Sequence, residues 1–202
     1  MTTIYLIRHS KTLKPNYLIS SDNLQIQNEK QILSIDGERI AEQKFENDEF
    51  SNIDILFCSN YVRTIATAKY LADKNNIDIN TIDDFGERKF GISSWDELPS
   101  DFEEHQFDDE NYKIGNGESQ KEVRDRMYNA LMQVLKNYNG KRIALVSHST
   151  ALAFLLSKWC KVNYADNYKF KGNVFFNGKW EYCQTFKLIF EDQELTDIKV
   201  ID

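Results

Sequence analysis

The sequence has few of the residues that break or cross-link a chain: 202 residues include two prolines, eight glycines and three cysteines. No stretch rich in proline, glycine or serine divides it, so we expect a single domain over residues 1–202 with a core of ordinary size. Cys58, Cys160 and Cys183 are odd in number, widely spaced and without a CxxC pair. This pattern argues against a disulfide framework and against a zinc site.

The sequence also lacks long apolar runs and an excess of basic residues. Nowhere do the roughly 18 apolar residues of a membrane span follow one another, and MTTIYLIRHS at the amino terminus does not have the pattern of a signal peptide. We therefore expect a cytoplasmic protein with no membrane partner. The net charge of −7 argues against nucleic acid as a partner, because binding the phosphate backbone needs a basic face.

What the sequence does contain is an alternation of short apolar runs and amphipathic stretches. We predict strands at 4–7, 53–59 and 143–146, helices at 34–45, 60–76, 119–138 and 150–159, and two antiparallel strands at 182–190 and 195–201. Ser34 is a predicted helix N-cap, and Ser119 with Glu122 predicts a capping box. This order predicts an α/β fold: a three-layer αβα sandwich whose mostly parallel mixed sheet has helices on both faces.

Residues 93–118 differ in kind from the rest, with eight aspartates and glutamates between Asp96 and Glu110 and weak periodicity. The simpler interpretation is a solvated charged face. The functional interpretation is a small inserted flap over a site.

Polar residues follow the predicted strands at the point where each strand ends. Arg8 and His9 end the first strand, His148 follows the strand at 143–146, and Arg63 falls in the first turn of the helix after the second strand. Because ligands bind at the carboxyl ends of parallel strands, we expect the two histidines to face each other across a small cleft. Arginine forks and free N–H groups at helix starts suit a phosphoryl group, so the sequence predicts a phosphate pocket.

Five motifs resemble the histidine phosphatase superfamily, also called the phosphoglycerate mutase-like family. They are RHSKT at 8–12, LSIDGERIA at 33–41, SNYVRTIATA at 59–68, GERKFG at 86–91 and VSHS at 146–149. The resemblance extends from about residue 3 to about residue 160, in the order of the family.

This resemblance implies roles for individual residues. His9 becomes the nucleophile, Glu87 the proton donor, and Arg8, Arg63 and His148 the side chains that hold the phosphoryl group. Ser149, directly after the second histidine, and Asn16, soon after the signature threonine, complete the expected phosphate-binding set. Three other carboxylates are alternative proton donors, namely Asp83, Asp84 and Asp96.

The sequence also departs from the family pattern at three positions. Ser10 and Ser149 stand where the family often has glycine, and Asn16 lies one residue further along than the family spacing. We expect the backbone at both serines to accept the extra Cβ without loss of function.

The resemblance implies a histidine acid phosphatase-type phosphoric monoester hydrolase that acts on a small phosphorylated metabolite through a phosphohistidine, without metal or cofactor. The main alternative is a phosphoglycerate mutase-type phosphoryl transferase. A mutase has to retain a multiply charged intermediate, whereas Arg88, Lys89 and Lys113 are set against eight carboxylates here, which favours a phosphatase.

Two further classes remain as alternatives. A metal hydrolase could use His9, His148 and Glu87 as ligands, but two arginines at the same centre would repel a cation. A non-catalytic module could bind a phospholigand without turnover. Activity in the presence of a chelator tests the first alternative, and an assay with an aryl phosphate tests the second.

Overall fold

A computed structural model of the chain describes residues 1–14 and 23–202. The strands are β1 (Thr2–Arg8), β2 (Ile55–Cys58), β3 (Ile79–Thr81), β4 (Arg142–Ser147), β5 (Cys160–Lys161), β6 (Tyr168–Phe170), β7 (Asn173–Phe176), β8 (Thr185–Glu191) and β9 (Glu194–Ile201). The α-helices are α1 (Leu24–Glu29), α2 (Ile35–Phe45), α3 (Val62–Asn75), α4 (Phe102–Asp108), α5 (Gln120–Asn137) and α6 (Ser149–Leu156).

The main sheet has six strands in the order β3-β2-β4-β1-β8-β9. Strands β3, β2, β4 and β1 run parallel to their neighbours, whereas β8 pairs antiparallel with β1 and β9 pairs antiparallel with β8. The prediction of a mostly parallel mixed sheet is confirmed, and so is the antiparallel pair at the end of the chain. Three parallel strands, β1, β2 and β4, therefore end at the same edge of the sheet, where ligands bind in such folds.

The sheet lies between two hydrophobic cores, and this arrangement makes the fold a three-layer sandwich. Successive residues of β1 point to opposite faces: Ile4 and Leu6 pack in one core with α5 and α6, and Tyr5 and Ile7 in the other with α2 and α3. All four side chains are fully buried. The central strand thus fixes the position of four helices at once.

A second sheet of three antiparallel strands, β5-β6-β7, is a feature that the sequence analysis missed. Its strands are two to four residues long, which is too short for an alternating pattern to stand out. Aromatic packing holds this sheet instead. The ring centroid of Phe176 lies 5.0 Å from that of Phe186 of β8 and 5.2 Å from that of Tyr168. The short edge strand β3 was missed for the same reason, because it has only three residues.

The acidic segment 93–118 contains a helix with an inward face. Helix α4 buries Phe102 and Gln106. The Gln106 side-chain amide donates to the backbone carbonyl of Glu118 at 2.8 Å, and the backbone carbonyl of Gln106 accepts from the Gln120 side chain at 2.9 Å. The segment is therefore anchored to the start of α5. Within the described ranges, no helix is long and apolar enough to cross a membrane.

The start of α5 carries the predicted capping box. The Ser119 hydroxyl accepts from the Glu122 backbone N–H at 3.3 Å, and the Glu122 carboxylate accepts from the Ser119 backbone N–H at 2.9 Å. Each bond satisfies a donor that the helix itself leaves free. The cap thereby stabilises a helix that buries Val123, Met127 and Leu131 in the core.

We expect Ser119→Ala to lower the free energy of unfolding by about 1 kcal/mol, the usual cost of losing a serine cap. Urea unfolding followed by circular dichroism measures the loss. Ser100→Ala is the control, because Ser100 is exposed in a turn. Equal midpoints for the two variants would show that the cap contributes nothing.

Candidate active site

The two histidines meet where β1 and β4 end. The register of this parallel pair sets Arg8 opposite Ser147, and the His9 backbone N–H continues the pairing by donating to the Ser147 carbonyl at 2.9 Å. The imidazole rings of His9 and His148 consequently lie with their centroids 5.3 Å apart. The sheet therefore brings together two residues that are 139 positions apart in the sequence.

His9 is held in one tautomer. Its Nδ1 lies 2.7 Å from the carbonyl oxygen of Ser10, and because a carbonyl only accepts, Nδ1 carries the proton and Nε2 carries the lone pair. Burial, followed by the positive charges of Arg63 and Arg8, holds the pKa of His9 well below its ordinary value, although the Ser10 carbonyl acts in the opposite direction. His9 is thus a neutral imidazole with a free nucleophilic nitrogen.

His148 is fully buried and has a partner at each ring nitrogen. Nδ1 lies 3.1 Å from Nη2 of Arg63, which can only donate, so Nε2 carries the proton and donates to the Ser59 hydroxyl at 2.9 Å. Burial and then the charge of Arg63 hold the pKa of His148 well below its ordinary value. Ser59 directly follows β2 and belongs to the same motif as Arg63, but it was not among the predicted site residues.

Two arginines flank the histidines. Arg63, in the first turn of α3, is 4 % exposed. Its guanidinium donates to the Asn28 carbonyl, and its Cζ lies 4.8 Å from the ring centroid of Tyr61. Arg8 donates to the Trp180 carbonyl at 2.8 Å, and its buried Nε has no partner among the described residues. Burial lowers the pKa of both guanidinium groups. Backbone carbonyls position these groups, but no described carboxylate forms a salt bridge with either, so the centre favours an anion.

Glu87 lies at the edge of this positive centre. Its charge raises the pKa of Arg8 and of Arg63, so the carboxylate is near enough to act on both arginines. Its Oε1 accepts from the Arg88 backbone N–H at 2.9 Å, and its side chain is 12 % exposed. The alternative donors Asp84 and Asp96 are exposed.

Arg126 of α5 fixes the loop that carries Glu87, and the sequence analysis missed it. Its guanidinium donates to the carbonyl oxygens of Asp84 at 2.6 Å, Gly86 at 3.1 Å and Glu87 at 3.1 Å. On the sequence, Arg126 is one more charged residue on the polar side of an amphipathic helix. Nothing in the pattern distinguishes it from its neighbours.

The remaining predicted residues lie as follows. Ser149 is the first residue of α6 and lines, with Arg8 and Thr150, a cavity of about 400 Å³. The fold accepts the Cβ of Ser10, whose hydroxyl donates to the Gly37 carbonyl at 2.6 Å. Asn16 lies outside the described residues. Among residues 1–14 and 23–202, no three histidine, cysteine or carboxylate side chains are grouped as metal ligands would be.

The structure is thus an α/β fold in which two histidines and two arginines without paired carboxylates among the described residues meet at the carboxyl ends of parallel strands. The chain belongs to the histidine phosphatase superfamily, branch 1, whose family model matches residues 4–180. The resemblance stated from the sequence motifs is therefore confirmed.

The curated relatives are phosphatases and phosphoglycerate mutases. The chain is 29% identical over 161 residues to an uncharacterized phosphatase, PhoE, of Bacillus subtilis, with 78% of this chain and 77% of that protein covered. It is also 29% identical over 164 residues to a probable phosphoglycerate mutase, GpmB, of Salmonella choleraesuis, with 78% and 74% covered. The sequence is thus similar to proteins named for either activity.

Solved structures share the fold at low sequence identity. A mycobacterial glucosyl-3-phosphoglycerate phosphatase superposes with a TM-score of 0.71 at 14% identity, covering 98% of this chain and 96% of that one. A phosphoserine phosphatase of Entamoeba histolytica superposes with a TM-score of 0.68 at 20% identity, covering 98% and 97%. These likenesses establish the αβα architecture.

The lowered pKa values of His9 and His148 predict how stability depends on pH. Below about pH 6.5 the unfolded chain protonates both histidines while the folded chain does not, so the free energy of unfolding decreases as the pH falls. Between pH 7 and pH 5.5 we expect a loss of about 1 kcal/mol for each histidine. Urea unfolding at the two pH values measures it.

His9→Asn removes one of the two titrating groups and serves as the comparison. Its loss of stability between the same two pH values should be about half that of the unsubstituted protein. An identical loss in both proteins would mean that His9 titrates normally in the fold.

Proposed function

We propose that the protein is a metal-independent phosphomonoesterase that acts through a phosphohistidine at His9 on a small phosphorylated metabolite. The observation that carries the proposal is the state of His9: a neutral imidazole, with its lone pair on Nε2, beside two arginines that no described carboxylate pairs. A nucleophile and an unsatisfied phosphoryl-binding site at one point are what this chemistry requires.

The first half of the reaction transfers the phosphoryl group to the enzyme. The Nε2 lone pair attacks phosphorus in line, a nitrogen–phosphorus bond forms, and the bond from phosphorus to the ester oxygen breaks. Arg8 and Arg63 stabilise the charge on the non-bridging phosphoryl oxygens. Nδ1 keeps its hydrogen bond to the Ser10 carbonyl, which steadies the imidazole as it becomes positively charged.

Glu87 supplies the proton that the departing alkoxide needs, and its carboxylate then takes a proton from the water that attacks the phosphohistidine. That attack breaks the nitrogen–phosphorus bond, releases inorganic phosphate and returns His9 to its neutral state. Glu87 lies at the edge of the centre where the phosphoryl group would bind, whereas Asp84 and Asp96 are exposed, and this supports Glu87 as the proton donor.

The charge at the centre supports a reaction without metal, because Arg8 and Arg63 would repel a divalent cation at the position of the phosphoryl group. Turnover should therefore be the same with and without an excess of a metal chelator, and a loss of activity in the chelator would contradict this part of the proposal.

The ion pairs formed by the basic residues near the site support hydrolysis over mutase activity. Arg88 pairs with Glu103 at 2.5 Å and Lys113 with Glu122 at 2.6 Å, so two of the three candidate cations are already neutralised. Glu103 also lines the cavity beside Arg8 and Ser149, so the Arg88–Glu103 pair offers no free cation to a second anionic group there. A bisphosphate intermediate therefore has little to hold it, and water can reach the phosphohistidine.

We expect His9→Ala to lower turnover of nitrophenyl phosphate by at least about a thousandfold, because a covalent pathway loses its nucleophile. Enzyme quenched during turnover should carry a phosphoryl adduct on His9 that is stable to base and labile to acid. Mass spectrometry after digestion at high pH locates the adduct. The alanine variant is the control, and an adduct on serine or aspartate would refute the mechanism.

The role of Glu87 predicts a dependence on the leaving group. A nitrophenolate departs without a proton, whereas an alkoxide does not, so Glu87→Gln should slow the phosphorylation burst with glycerol phosphate at least tenfold more than the burst with nitrophenyl phosphate. Rapid-quench measurement separates the burst from steady turnover, which should fall for both substrates because hydrolysis of the phosphohistidine uses the same carboxylate.

Asp84→Asn is the matched control for this experiment, since Asp84 precedes Glu87 in the same loop and is exposed. It should leave the ratio of the two bursts unchanged. A leaving-group effect in Asp84→Asn, and none in Glu87→Gln, would reassign the proton donor.

A further inference from the structure

Arg88 is a buried cation that the reaction above does not use. It is 2 % exposed and lies against the rings of Phe90 and Phe102, at 4.8 and 5.6 Å from their centroids. Its Nη2 donates to Glu103 of α4 at 2.5 Å, while its Nε and Nη1 have no hydrogen-bond partner among the described residues. A buried guanidinium with two free nitrogens will bind a further acceptor within reach.

Glu87 offers such an acceptor nearby. Nη1 of Arg88 lies 3.9 Å from Oε1 of Glu87, which is within the range of charge attraction but too long for a hydrogen bond. The guanidinium therefore lies between two carboxylates, one on the loop of the proposed proton donor and one on the helix of the acidic segment. The short bond to Glu103 holds the cation on the side of the helix.

We propose that Glu103 is a positioning residue, which keeps Arg88 from closing on Glu87 so that Glu87 can hold the proton required by the leaving group. The inference rests on the proposed function, in which Glu87 is the proton donor. If Arg88 were free to donate directly to Glu87, it would stabilise the carboxylate and oppose protonation.

Other charged and titratable groups face Glu87. Its charge acts on Arg8 of β1 and on Tyr61 and Arg63 at the start of α3. It also lines a cavity together with Arg126 of α5 and with Glu29, Asp83, Asp84, Lys89 and Glu118. Glu103 lies outside this group, and a change there removes the carboxylate that holds Arg88 on the side of α4.

This arrangement gives the acidic segment a role in the reaction. Helix α4 is anchored by buried Phe102 and Gln106, so the backbone that carries Glu103 is fixed against the core. Glu103 itself lines the cavity beside Arg8 and Ser149. The proposed flap then contributes a side chain that positions the cation next to the proposed acid.

The test is Glu103→Gln, with Glu104→Gln as the matched control because Glu104 is the next residue of α4 and is exposed. Burst rates are measured from pH 5 to 9 with glycerol phosphate and with nitrophenyl phosphate. A plot of burst rate against pH falls at high pH, where the proposed acid has lost its proton. In Glu103→Gln this alkaline limb for glycerol phosphate should shift to lower pH by about one unit, the effect of a newly paired opposite charge. Nitrophenyl phosphate should show less than a twofold change in burst rate.

The double variant Glu103→Gln with Arg88→Met tests the cause and guards against misfolding. Removing both charges leaves no unpaired buried cation, so this protein should fold. Its alkaline limb should return to the position found in the unsubstituted enzyme. A structural defect caused by losing Glu103 would not be reversed by removing Arg88.

Three results would overturn the inference: an unmoved limb in Glu103→Gln, an equal shift in Glu104→Gln, or no recovery in the double variant. The Glu87→Gln measurement keeps this failure distinct from failure of the proposed function. If Glu87→Gln shows the expected leaving-group effect and Glu103→Gln does not move the limb, the phosphatase mechanism stands and Glu103 has no part in it.

Discussion

The parallel pairing of β1 with β4 is the contact on which the site depends. It places Ile4 opposite Ile143 and Arg8 opposite Ser147, and one more hydrogen bond, from His9 to Ser147, extends it past the end of the strands. A slip of one residue would turn the alternating side chains of β1 to the opposite faces. The register that fills both cores is therefore the register that sets the two imidazole rings against each other.

The site that results concentrates positive charge inside a protein of net charge −7. Arg63 is buried and Arg8 is half-buried, and the backbone carbonyls of Asn28 and Trp180 replace only part of the hydration that their guanidinium groups lose. The two histidines beside them remain neutral, because burial and the charge of Arg63 hold their pKa values well below the ordinary value. The arrangement therefore costs stability in the free protein, and the anionic group of the proposed phosphoryl substrate would offset that cost.

The sequence predicted those parts of the fold and site that depend on local pattern. Periodicity predicted β1, β2, β4 and the long helices, and the residues after each strand end predicted His9 and His148 as neighbours. It could not predict the sheet β5-β6-β7, which depends on aromatic contacts between distant segments. Nor could it predict Arg126 or Ser59, whose importance arises only from what the fold places beside them.

The acidic segment shows why composition alone misjudges a charged stretch. Seven of its eight carboxylates between Asp96 and Glu110 leave the interpretation of a solvated face intact, but the Glu103 carboxylate accepts a hydrogen bond from buried Arg88, next to the proposed acid. Opposite charges attract over about 8–10 Å in physiological salt, and far more strongly where water is excluded. Glu103 is itself half-exposed, but its carboxylate lies 2.5 Å from a buried cation, so the charge that matters for the proposed acid is the one that pairs with an interior arginine rather than the total charge of the segment.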